Sequence, residues 1–217
     1  MVGTHAGRQT MTSRADILAR VRAAVAGSEA VEAPPLPADP LVDRDARQIR
    51  ERFIDRIVDY RAAIDEVDAV GLPAALARVV SEAPIDSLLI PPGTPPAWLG
   101  DLPDGLTTVD RPDLAPADLD RIAAVLTGCA VAIAETGTIV LDGGPGQGRR
   151  AGTLVPDRHI CVVRLDQLVA SVPQAVARLD PTAPLTWISG GSATSDIELN
   201  RVEGVHGPRH LHVLLVG

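Results

Sequence analysis

Apolar residues recur at steps of three and four in the first third of the chain and then give way to short continuous runs. That change of period predicts helices first and buried strands afterwards. Residues 1–12 carry no periodicity and are expected to be disordered and without function. Ser13 suits an N-cap, and Ile17, Leu18, Val21 and Val25 follow at helical spacing until Gly27 closes a short amphipathic helix. Pro34, Pro35, Pro37 and Pro40 then stiffen residues 29–40 into an extended linker, because proline fixes φ and removes a backbone donor. An N-terminal arm and linker over residues 1–40 and a body over 41–217 result.

From Asp43 to Ile64 the positions Ile49, Phe53, Ile57, Tyr60 and Ile64 share one face, with charges on the others, which predicts a helix covering a sheet. Leu72 to Val80 predicts another. Beyond it the runs Ser87–Ile90, Leu106–Val109, Cys129–Ala134, Thr138–Leu141, His159–Val163, Leu185–Ser189 and Leu211–Val216 are continuous rather than alternating, as buried strands are. Pro116 to Leu126 is expected to be a helix between two of them, with Leu119, Ile122 and Leu126 on one face and Gly128 as its cap. Strands alternating with helices predict an α/β fold with a mostly parallel sheet flanked by helices. Thr138 follows Gly137 too closely for a crossover, so a hairpin or bend is expected there.

One Phe, one Tyr and two Trp make the core aliphatic, and a net charge of −8 opposes a nucleic-acid backbone. No apolar run reaches the length of a membrane span and the first residues lack a signal-peptide pattern, so a cytoplasmic protein without membrane insertion is expected. Cys129 and Cys161 stand in apolar runs without CxxC spacing and are expected to act as small hydrophobes.

Ligands of open α/β sheets bind beyond the carboxyl ends of strands, which directs attention to four segments. In Glu135-Thr136-Gly137-Thr138 an apolar run delivers a carboxylate, then hydroxyls and a glycine. Glu135 there is either held for acid, base or nucleophilic work or accepts hydrogen bonds from turn amides. The loop from Asp142 to Arg150 pairs glycines, among them Gly148, with the adjacent cations Arg149 and Arg150, which suit a phosphate or carboxylate; it is not a Walker loop. Gly190-Gly191-Ser192, with Thr194 following and Ser195 and Glu198 at capping-box spacing, predicts a glycine turn that opens a helix, either as an anion site or as plain capping. In the fourth, His210 and His212 share a strand face and His206 lies in the turn as a hydrogen-bonding residue; no metal spacing is completed. The first three segments are expected to meet at one edge of the sheet as a shared site for a small anionic ligand, with Glu135 facing the reacting group.

Three ordered blocks, AETGTIVL at 134–141, GQGRRAGTLVPDRHICVV at 146–163 and ISGGSATSDIELNRVEGVHGPRHLHVLLVG at 188–217, resemble the signature of the LUD-domain family of lactate-utilization protein C. The resemblance implies that residues 41–217 form a LUD domain with a fold similar to the NagB/RpiA/CoA-transferase superfamily. It also implies participation in oxidation of L-lactate to pyruvate beside iron–sulfur partner proteins. The related CoA-transferases use a strand-end glutamate nucleophile, to which Glu135 is the counterpart, although the motif here reads Glu-Thr-Gly. Gly191 stands where the family often has proline. The alternative is a stand-alone enzyme or binding protein for a CoA, folate or sugar-phosphate type ligand, and a third possibility is a sensing or scaffolding role.

Two isolated cysteines cannot satisfy a four-cysteine cluster, so no intrinsic cofactor is expected. The purified protein should therefore be colourless and free of stoichiometric iron; visible absorbance together with measured iron would contradict this reading.

Overall fold

A computed structural model describes residues 13–27, 44–195, 201–203 and 207–217. The chain divides into two units, Met1–Ala38 and Asp39–Gly217. Within the first, α1 (Ser13–Val25) forms as the pattern predicts, and it buries none of its residues; the proline linker lies outside the described residues.

The body begins with α2 (Ala46–Asp59), whose N-cap Asp45 accepts a hydrogen bond from the Gln48 N–H at 2.8 Å. Phe53 and Ile57 are fully buried, one turn apart on its inner face. The helix ends sooner than the apolar spacing predicts. Arg61 takes a φ of 60°, and the N–H groups of Tyr60, Arg61 and Ala62 close onto Arg56, Val58 and Ile57. The chain then leaves as β1 (Ala63–Val67), so Ile64 belongs to an edge strand rather than to the helix. After it, α3 (Leu72–Glu82) buries Leu72, Ala75, Leu76, Val79 and Val80.

The short runs then form β2 (Leu88–Ile90), β3 (Thr107–Val109), β4 (Ala124–Thr127), β5 (Val131–Ile133), β6 (Thr138–Leu141), β7 (Arg158–Arg164), β8 (Leu168–Val169), β9 (Thr186–Ile188), β10 (Ala193–Ser195), β11 (Arg201–Glu203) and β12 (His210–Val216). Two further helical segments are α4 (Pro116–Leu119) and α5 (Val172–Arg178). A second correction falls on α4, which is a single turn; Leu126 lies in β4, a strand inside the sheet. Every residue of β4 is buried, and its backbone pairs with β2 on one side and β7 on the other. A helix ending at Leu126 would leave the facing edges of β2 and β7 unpaired within the core.

Six strands in the order β1-β12-β7-β4-β2-β3 make a wholly parallel sheet. The remaining body strands do not join it, contrary to a reading with one sheet. β8-β5-β6-β9 form a second, mixed sheet, in which the turn at Ala134–Gly137 makes the expected hairpin between β5 and β6. β10 and β11 pair antiparallel by themselves.

Alternate residues of the central strands go to opposite faces. Ile160 and Val162 of β7 and Leu214 and Val216 of β12 pack with α3. Cys161, Val163, Leu211, Val213 and Leu215 pack instead with Phe53 and Ile57 of α2 and with Ala132, Ile139 and Leu141 of the second sheet. The far side of that second sheet buries Val131, Ile133, Val140 and Val169 against Ala175 of α5. Helix, parallel sheet, second sheet with α2, and a final helix are therefore successive layers.

Leu126 is fully buried between two strands, so Leu126→Ala should lower unfolding free energy by about 2–5 kcal/mol, the scale of a core leucine truncation. Urea unfolding measures it. A loss under about 1 kcal/mol would return Leu126 to a peripheral helix.

Candidate functional site

The parallel sheet positions its loops in an order that the sequence does not show. The glycine loop after β6 is drawn inward: the Gly128 N–H donates to Gly146 O at 2.8 Å, and the Gly146 N–H donates to Pro92 O at 2.9 Å. Gln147 is buried, and its Oε1 accepts from the Asp142 N–H at 2.6 Å. This loop is thus built into the ends of β2 and β4 rather than being a solvated turn.

Its two arginines diverge. The Arg149 guanidinium donates to the buried carboxylate of Asp110 at 2.9 Å and to Leu114 O at 3.0 Å. It neutralises a charge that would otherwise be costly to bury. Arg150 is exposed, and its guanidinium has no hydrogen bond or ion pair among the described residues.

Two cavities flank Arg150. The larger, about 910 Å³, lies beyond the carboxyl ends of β2 and β3 and is walled by Pro92, Pro112, Pro145, Leu141, Pro184 and Leu185, with Asp110, Arg111, Arg149 and Arg150 as its charged groups. The smaller, about 280 Å³, is lined by His159, Ser189, Gly190, Gly191, Ser192 and Pro208 among others. Arg150, Thr153 and Thr186 line both.

Of the residues singled out by sequence, Gly148, Arg149 and Arg150 line the larger cavity and Gly190, Gly191 and Ser192 the smaller, which Arg150 joins. The Ser189 Oγ lies 2.8 Å from Thr138 Oγ1, which lies 2.7 Å from Thr136 Oγ1, so a hydroxyl chain runs from the hairpin to the smaller cavity. Gly137 has a φ of 61°, and a Cβ there would meet Arg56 Cβ at 2.7 Å; the hairpin is pressed onto α2. Gly191 is packed harder still, with an added Cβ 2.2 Å from Arg209 O. No proline fits that position, although the family resemblance sets one there.

Glu135 lines neither cavity. Its N–H donates to Ala170 O at 3.0 Å and its Oε2 accepts from the Val172 N–H at 3.5 Å, the arrangement of a carboxylate satisfying turn amides. The turn after Ser192 does not open a helix: residues 193–195 are β10, and Glu198 lies outside the described residues, as does His206. Thr194 is in β10. His210 lies 3.9 Å from Asp157, and His212 lies 2.7 Å from Asp65. Nor do the segments meet at one carboxyl edge. The smaller cavity takes His159 and Leu211 from the beginnings of β7 and β12, so the site extends across the sheet face opposite α3.

His159 is the site residue that sequence reading missed. It is 2% exposed, and its Nε2 lies 2.7 Å from the Oγ1 of the fully buried Thr127. Burial pushes its pKa down to about 4, so the imidazole is neutral near pH 7. The only signal in the sequence is a polar residue at the head of an otherwise apolar run, Arg-His-Ile-Cys-Val-Val.

A model of the LUD domain matches residues 113–216. Lactate utilization protein C of Deinococcus radiodurans is 50% identical over 212 residues, covering 96% of this chain and 97% of that protein. Lactate utilization protein C of Shouchella clausii is 29% identical over 157 residues, 67% of this chain and 64% of that protein. A crystal structure of a DUF162 family protein from Deinococcus radiodurans superposes with a TM-score of 0.68 at 46% identity, covering 80% of this chain and 99% of that one.

The depressed pKa of His159 has a consequence for stability. Unfolding returns the side chain to its ordinary value near 6.5, so the unfolded state binds the additional proton between pH 6.5 and about 4 and stability falls as pH drops through that window. By pH 4.5 the loss should reach roughly 2–3 kcal/mol relative to pH 7. Unfolding at both pH values, for wild type and His159→Gln, isolates this contribution; equal pH dependence in the two proteins would contradict it.

Proposed function

Because the chain belongs to the LUD-domain family of lactate utilization protein C, we propose that it is a subunit of a lactate-oxidising assembly and takes part in conversion of L-lactate to pyruvate with iron–sulfur partner proteins. The observation that carries this reading is the 50% identity to a protein of that name over nearly the whole of both chains. In this reading the electrons pass through the partners, and this chain holds no cluster of its own. Its contribution is a site for a small anionic ligand, anchored on Arg150 where the two cavities adjoin. Glu135 acts as the acceptor that ties the hairpin to α5, since its carboxylate is engaged with Val172.

The size of the larger cavity favours a second reading. A three-carbon acid would occupy a small part of about 910 Å³, and the apolar walls with Arg150 beside them suit a longer anionic ligand of the CoA, folate or sugar-phosphate type. Such a ligand and a lactate role are compatible if the chain uses both cavities. No helix among the described residues is long and apolar enough to cross a membrane.

In a bacterium whose own lactate utilization protein C has been deleted, expression of this chain should restore growth on L-lactate. Arg150→Ala should restore it at least several-fold less well, and Glu135→Gln should restore it fully. Soluble wild-type protein that leaves growth on L-lactate absent would overturn the proposal.

A further inference from the structure

Pro92, Pro112, Pro145 and Pro184 line the larger cavity, and all four are exposed. Leu141 and Leu185 complete its apolar wall. Proline has a rigid ring and no N–H, so the wall presents flat apolar faces without a backbone donor at those four positions. Most side chains there that could hydrogen-bond a ligand are already committed. Asp110 and Arg149 engage each other at 2.9 Å, Arg111 lies 3.4 Å from Asp113, and the Thr153 hydroxyl donates to Arg150 O at 3.1 Å. Thr186 remains, together with Arg150, whose guanidinium has no partner among the described residues. The backbone beside Arg150 is open as well: the N–H groups of Gly148, Arg149 and Arg150 find no acceptor among the described residues. The cavity thus combines a donor-rich segment at residues 148–150 with walls that offer few hydrogen bonds.

We propose that the larger cavity binds an amphipathic anion whose body is a flat, largely apolar ring system, the rings lying against the prolines and a phosphate or carboxylate held by Arg150 and the neighbouring amides. A hydroxyl-rich ligand such as a sugar phosphate would give up water for a wall that returns few of its hydrogen bonds, and each unreturned bond weakens binding. A flat ring system gains from leaving water and has little conformational freedom to lose. A volume of about 910 Å³ lies within the range of small-molecule pockets. This assignment rests on the second reading above and narrows it to ring-bearing anions, leaving sugar phosphates out.

The test uses the full chain at pH 7 and three probes that separate the parts of such a ligand. β-Naphthyl phosphate carries rings and anion, β-naphthol carries the rings alone, and ribose 5-phosphate carries the anion on a hydroxyl-rich body. Equilibrium dialysis measures each. β-Naphthyl phosphate should bind at least about tenfold more tightly than either of the others. Arg150→Ala, a change at an exposed side chain, should weaken β-naphthyl phosphate about tenfold and leave β-naphthol unchanged. Pro184→Ser, at an exposed wall position, should weaken both naphthyl compounds severalfold and leave ribose 5-phosphate unchanged. Ribose 5-phosphate or β-naphthol bound as tightly as β-naphthyl phosphate would overturn the assignment while keeping the cavity as a ligand site. Binding of β-naphthyl phosphate that neither substitution weakens would lie elsewhere on the protein and would overturn it too. Absence of binding by all three probes would remove both this assignment and the second reading, whereas the role in lactate utilization is decided separately by growth on L-lactate.

Discussion

A wholly parallel sheet has no face that water can wet, because its strands are joined through crossovers and its residues are apolar on both sides. That constraint orders the rest of this molecule. One face of the six-stranded sheet is closed by α3 through Leu72, Leu76, Val79 and Val80. The other is closed by several smaller pieces: α2 through Phe53 and Ile57, the second sheet through Ala132, Ile139 and Leu141, and the segment around Ala151 and Val155 over Leu89 and Val125. The smaller cavity lies on this second face, lined by His159 and Leu211 of the sheet and by residues 186–192 opposite.

The same burial decides which polar groups can act. Asp110 is 4% exposed, and its carboxylate is paired with the Arg149 guanidinium at 2.9 Å. That contact turns one of two adjacent arginines into part of the scaffold and leaves its neighbour to the cavities. His159 follows the other course open to a buried titratable group, remaining neutral and satisfying one ring nitrogen through Thr127. In the hairpin the hydroxyls of Thr136, Thr138 and Ser189 satisfy one another in a chain, so these side chains hold β6 to the end of β9 whatever else they contact. Burial likewise favours neutral thiols. Hydrogen bonding with Cys161 and desolvation push the Cys129 thiol well above its ordinary range, in keeping with a small hydrophobe.

The sequence by itself determined the class of the fold, most of its strands and the two glycine-rich segments that line the cavities. Those features are local: a continuous apolar run has few alternatives to a buried strand, and a glycine cluster has few alternatives to a turn. Helix ends and the identity of β4 were decided by tertiary structure. Leu119, Ile122 and Leu126 fit a helical face, but strand pairing at β4 comes from Leu88 and Leu89 upstream and from residues 158–161 downstream, which no periodicity count includes. Ile64 continues the spacing of α2 yet pairs with Val213 near the other end of the chain. The roles of Arg149, Arg150, Glu135 and His159 were decided in the same way. Arg149 and Arg150 are identical in chemistry and adjacent in sequence, and only Asp110, 39 residues away, separates their roles. The hydrogen-bond partner of His159 is Thr127, 32 residues away on a neighbouring strand. Charge, hydrogen bonding and access to a cavity depend on burial and on partners distant in sequence, and those exist only once the sheet has formed.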